Sequence, residues 1–230
     1  NGNRVSPSSD GATFDLKPSP KAFREFAEEA AAGCTPRCLR SVRQVAAYGS
    51  DLVVDNKGNV KPTALHFTAG QQSFLGMVRA LQQGLSQEDF REALVGPWRN
   101  TSKLPSLSWN ASAPRLYAYR ASNPADEKRG SVPAADWLAF IGLCFFPVAS
   151  NESRLQTACV KGGWKDSTMC WPVWNAPLTC HAIRSLLTWR GLRDAKTRER
   201  SAMGLAALFE SRILRLDPGG YGLFSPASAR

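Results

Sequence analysis

The run from Trp137 to Ala149 is the longest uncharged apolar stretch of the chain, and it limits what the rest can become. It falls short of the roughly 18 to 20 residues that a membrane-spanning helix requires, so it must be buried in a protein core. Pro133 stands at its head, where proline suits a first helical turn, and Pro147 stands where proline stops a helix. The pattern predicts the most hydrophobic helix of the protein over Pro133 to Phe146. With 230 residues, and roughly 100 to 200 residues per domain, the chain makes one large domain or two small ones around such a core. Hydrophobic residues are 43% and charged residues 21%, with 18 glycines and 15 prolines, which excludes collagen-like and wholly disordered chains.

Turn and cap signals divide the chain. Residues 1–18 are rich in Ser, Pro, Gly and Asn and read as a flexible tail. Asn1 to Arg4 lack the apolar stretch of a signal peptide. Ser19-Pro20 opens a helix with Phe23 and Phe26 on one edge and Gly33 at its end, and Thr35-Pro36 opens another. In that second helix Arg37, Arg40 and Arg43 form one stripe, either a solvated basic face or a phosphate contact. Leu52 to Lys61 reads as a hairpin about Asp55-Asn56-Lys57-Gly58, and Ala64 to Phe67 as a short strand. Helices follow over Gln71 to Gln83, with Phe74, Leu75, Val78 and Leu81 inward, and from Ser86 to near Gly96. Strands are expected over Thr157 to Val160 and Met169 to Trp174, a helix over Leu178 to Trp189, and a hairpin from Ser211 to Phe224. The fold class expected is α+β, with small mixed or antiparallel sheets and a helix-rich C-terminal portion. Its units are the tail 1–18, a mixed nucleic-acid-binding region 19–176, and a basic helical region 177–230.

Charge points to the partner. A net charge of +10 and a pI near 9.7 favour a polyanion, nucleic acid before an anionic membrane. Arg184 to Arg215 carries eight basic against three acidic residues, half of the excess. Between Pro97 and Gly130, Trp98, Trp109, Tyr117 and Tyr119 alternate with Arg99, Lys103, Arg115 and Arg120; cations hold phosphates and aromatic faces stack bases. Thr68-Ala69-Gly70 before a helix at Gln71-Gln72 places unpaired backbone N–H groups where a phosphate can sit, and the two amides suit a base edge. The candidate nucleic-acid contacts are Thr68, Gly70, Gln71, Gln72, Arg99, Lys103, Arg120, Arg190 and Arg193.

Phosphate-loop, dinucleotide, zinc-protease and nucleophile-elbow motifs are missing from the sequence. No catalytic residue, metal or cofactor is expected. His66, in an apolar segment, reads as a core imidazole; the alternative is a nucleic-acid-processing enzyme using His66 or the Cys180-His181 pair. The six cysteines, Cys34, Cys38, Cys144, Cys159, Cys170 and Cys180, lack zinc-ribbon spacing and are expected to be reduced thiols.

A family resemblance is carried by ordered phrases. These are Pro62 to Leu75 (PTALHFTAGQQSFL), Ala93 to Trp98 (ALVGPW), Leu104 to Trp109 (LPSLSW), Ala135 to Leu143 (ADWLAFIGL), Trp171 to Trp174 (WPVW), Ser211 to Arg215 (SRILR) and Tyr221 to Pro226 (YGLFSP). They resemble segments of the large, Cas8-type subunits of type I-U, also called I-G, CRISPR effector (Cascade) complexes. The resemblance spans about residues 62 to 226 and is weaker before them. It implies a non-enzymatic subunit of a cytoplasmic, crRNA-guided antiviral ribonucleoprotein. Its implied partners are crRNA, target double-stranded DNA, the backbone and Cas5- and Cas6-type subunits, and a helicase-nuclease recruited on target binding. The implied tasks are PAM recognition and R-loop formation, where guide pairing reads sequence and protein reads the PAM and backbone.

Overall fold

Local signals set most of the helices. The computed structural model describes residues 17–33, 39–68, 73–110, 131–152, 154–216 and 221–230. Helix α1 (Pro20–Ala32) begins where Ser19 Oγ accepts from Ala22 N at 3.2 Å and ends where Gly33 N donates to the Glu29 carbonyl at 3.1 Å. Phe23 is buried against Tyr48 of α2 (Leu39–Tyr48), but Phe26, expected on the same edge, is exposed. In α2 Arg40 is exposed and Arg43 half-buried, while Arg37 and the expected Thr35-Pro36 start lie outside the described residues.

Strands β1 (Gly49–Val54) and β2 (Val60–Pro62) form the expected hairpin. Its turn is built by Asp55, whose Oδ1 accepts from Lys57 N at 2.8 Å and Asn59 N at 3.0 Å, while Gly58 takes the left-handed φ of 79° that glycine adopts without strain. Helix α3 (Phe74–Gly84) buries Phe74, Val78 and Leu81. In α4 (Gln87–Val95) Ser86 and Asp89 cap each other reciprocally, and Gly96 closes the helix. Helix α5 (Pro133–Gly142) runs on into a 3-10 turn at Leu143–Phe145, close to the predicted span. Helices α3 and α5 enclose one core of Phe74, Val78, Leu81 and Leu107.

The second half is built on antiparallel strands. Strands β3 (Val148–Asn151) and β4 (Arg154–Thr157) form a hairpin. Then come β5 (Val160–Lys161), β6 (Ser167–Trp174), helices α6 (Cys180–Thr188) and α7 (Thr197–Ala202), and strands β7 (Leu205–Leu216), β8 (Tyr221–Phe224) and β9 (Ser228–Ala229). Four of these strands lie in the order β5-β6-β7-β8, with β9 pairing β7 at Phe209 and Glu210. The pairing of β6 with β7 runs from Ser167 opposite Ile213 to Trp174 opposite Leu205.

The helix-rich C-terminal portion is therefore corrected: among the described residues, 177–230 hold two short helices, and β7, twelve residues long, is the principal element. The reason is burial on both faces. Leu208 packs with Cys170, Leu186 and Leu192 on the α6 side, while Ile213 packs with Leu65 and Phe67 on the other. Apolar residues thus occupy both parities of the strand, and the alternation that announces a one-sided strand is lost. The expected divide at 176/177 falls between β6 and α6, and the β6–β7 ladder joins the two sides. Among the described residues no helix is long and apolar enough to cross a membrane.

Candidate nucleic-acid interface

The segment 64–68 is irregular instead of the expected strand, because its carbonyls are taken by groups from elsewhere. Arg215 Nη2 donates to Ala64 O at 2.6 Å and Nη1 to His66 O at 2.8 Å. Trp109 Nε1 donates to Leu65 O at 2.8 Å, and Gly222 N to Phe67 O at 3.1 Å. The Arg215 guanidinium also lies 4.0 Å from the Trp164 ring centroid and 5.1 Å from that of Phe67. Burial lowers its pKa to about 10, which leaves it cationic at neutral pH. This arginine, counted within the basic C-terminal stretch, is therefore a clamp inside the fold.

Thr68 is buried, and its hydroxyl lies 3.0 Å from His66 Nε2. The imidazole packs at 5.1 Å on Phe74 and edge-on to Tyr48. The helix expected from Gln71 starts at Phe74, with Ser73 Oγ accepting from Gly76 N at 3.1 Å. The backbone donors read as a phosphate cradle are thus displaced along the chain, and one is already capped. Gly70, Gln71 and Gln72 lie outside the described residues.

The remaining predicted cations fall into distinct settings. Arg99 is exposed but lies 3.3 Å from Glu88 and 3.9 Å from Glu92, so two carboxylates offset its charge. Lys103 is exposed, and Arg120 lies outside the described residues. Arg193 is largely buried: Nη1 bonds Thr168 Oγ1 at 2.9 Å and ion-pairs with Glu210, and Nη2 donates to Thr168 O at 3.0 Å. Glu210 also receives Arg230 Nη1 at 2.8 Å, so one carboxylate is shared by two guanidiniums.

Arg190 is exposed, at the turn between α6 and α7. The preceding Trp189 is 42% exposed, and its ring lies so close to Gly191 that a Cβ there would approach it to 2.5 Å. The ring therefore packs close to the Gly191 backbone and remains partly exposed. Lys196, just before α7, and Arg198, in its first turn, are exposed, and among the described residues neither they nor Arg190 forms an ion pair. Trp189, Lys196 and Arg198 were not among the predicted contacts. Their signal is a tryptophan and several cations close together in sequence between Trp189 and Arg198, just after a helix. Such an arrangement can hold phosphates and stack a base.

Three groups with shifted titration, Asp136, Cys159 and Cys170, lie inside the protein. Burial pushes the Asp136 carboxyl up to about 6, against hydrogen bonds from Ser106 and from Leu107 N, the latter at 3.1 Å. Burial pushes the Cys159 thiol up to about 12 and raises Cys170. Cys144, Cys159, Cys170 and Cys180 are free thiols; Cys159 donates to Leu187 O at 3.2 Å, and neither it nor Cys170 has the lowered pKa of a reactive thiolate. Cys180 and His181 are exposed at the start of α6. No group of three His, Cys, Asp or Glu residues able to hold a metal occurs among the described residues. Comparisons with protein-family models, curated proteins and solved structures give no match.

Proposed function

We propose that the chain is a non-catalytic, nucleic-acid-binding subunit of a crRNA-guided CRISPR surveillance complex of the type I-U or I-G kind. In this reading it contributes to PAM recognition, R-loop formation and recruitment of the helicase-nuclease. The observation that carries the nucleic-acid part is the exposure of Trp189, Arg190, Lys196 and Arg198 between the end of α6 and the first turn of α7, in a chain of net charge +10. Cations without carboxylate partners release counterions on meeting phosphates, and an open indole face stacks a base of any sequence. The subunit assignment rests on the phrases between Pro62 and Pro226. Exposed Leu94, Val95 and Trp98 at the end of α4 suit a place inside an assembly, since apolar clusters of this kind are usually covered.

Two measurements test the reading. Affinity of the purified chain for a fluorescein-labelled oligonucleotide should fall linearly with the logarithm of salt concentration; a salt-independent affinity contradicts nucleic-acid binding through these cations. In the assembled complex, Gln71→Ala or Gln72→Ala should change discrimination among PAM sequences, and equal losses on every PAM count against base readout by these amides.

A further inference from the structure

Between α5 and the sheet lies a cavity of about 480 Å³. Gly142 and Phe146 form part of its helical wall, Met169, Trp171 and Phe224 its sheet wall, and Trp109 reaches it from the connecting loop. No charged side chain lines it, and its two hydroxyls are already engaged: Ser211 Oγ donates to Ser225 O at 2.7 Å, and Ser225 Oγ accepts from Arg212 N at 2.9 Å. Its size lies within the roughly 300 to 1,000 Å³ of small-molecule sites. The pocket is partly open, with Ala139 and Trp174 exposed at its edge; an apolar molecule entering it removes apolar surface from water, whereas a charged group inside would be left without a partner.

Gly142 on the helical wall is a place where the cavity can be altered by substitution. Its φ of −67° and ψ of −16° are ordinary helical values, and a Cβ built there meets nothing within 4 Å. Neither backbone conformation nor close approach requires glycine at this last residue of α5.

We propose that this cavity is a binding site for a neutral, apolar small molecule that packs against the Trp109 and Trp171 rings. The site is independent of the nucleic-acid reading and stands or falls separately. The test uses N-phenyl-1-naphthylamine, which is uncharged at neutral pH, titrated into the full chain while its fluorescence is followed under tryptophan excitation. Saturable binding to one site is expected. Gly142→Leu should fill the cavity and weaken binding by at least about tenfold, with unchanged circular dichroism and an equal or higher Tm. Val95→Lys, in the exposed apolar cluster at the end of α4, should bind as the unaltered chain does. Absence of saturable binding, or equal affinity of the Gly142→Leu chain, overturns the proposal. Should Gly142→Leu lower the Tm, Ala139→Leu on the same wall carries the comparison: a tenfold loss supports the site and unchanged affinity overturns it.

Discussion

Replacing Asp136 by asparagine isolates the cost of a buried charge. Asp136 is 6% exposed in the first turn of α5, and its Oδ2 accepts from Leu107 N at 3.1 Å, which ties the loop before Trp109 to that helix. Burial raises its pKa from 3.8 to about 6. The folded chain therefore holds this proton more tightly than the unfolded chain, and stability falls as pH rises from about 4 to about 6, then stays level with respect to this group. At about 1.4 kcal/mol per pH unit, the full loss is about 3 kcal/mol. Asparagine keeps the shape and an acceptor for Leu107 N without the charge. Urea unfolding at pH 4.5 and pH 7.5 should show the Asp136→Asn chain gaining about 2 kcal/mol on the unaltered chain between the two conditions. Any constant difference from the new amide cancels in this comparison. An equal difference at both pH values would refute the assignment of a buried, desolvated carboxylate.

Arg215→Met removes two charge-assisted hydrogen bonds and leaves the Ala64 and His66 carbonyls without those donors; urea unfolding should register a loss of about 2 to 4 kcal/mol, and a change under 1 kcal/mol would contradict the clamp. Gly222→Ala places a methyl 2.4 Å from the Phe67 ring and 2.8 Å from Arg215 Nη1, so a destabilisation of about 1 to 3 kcal/mol is expected by calorimetry, and a neutral result would contradict the close approach. Arg190→Ala and Lys103→Ala should each weaken oligonucleotide binding about equally on all sequences and reduce the salt slope by about 1, whereas Arg99→Ala, already offset by Glu88 and Glu92, should change it less. Fluorescence anisotropy across a salt series reads this ordering, and equal effects of all three substitutions would refute it.

Where short-range chemistry decides, the sequence was enough. Ser19-Pro20, Ser86 with Asp89, and Asp55 with Gly58 announced α1, α4 and the β1–β2 turn, since each cap or turn is closed by residues within a few positions. Long-range partners were invisible. Ala64 to Phe67 has the composition of a strand, yet Arg215, Trp109 and Gly222 take its carbonyls from as far as 151 positions away. Burial on both faces hid the first half of β7, Leu205 to Glu210, whereas its second half pairs with β8 in the expected terminal hairpin. Counting charges located the basic stretch but not its use: Arg193 and Arg215 serve the interior, Arg99 is neutralised by neighbours, and Arg190 remains open. Which cations find carboxylates or carbonyls depends on pairings that spacing along the chain does not encode.

The central claim is membership in a guide-RNA complex. Its most direct test is to express the chain together with the proteins encoded beside it, purify through a tag on this chain, and sequence any RNA that accompanies it. The account predicts a ribonucleoprotein carrying repeat-derived guide RNA. Recovery of a folded chain alone, free of RNA, while those partners are expressed would contradict it.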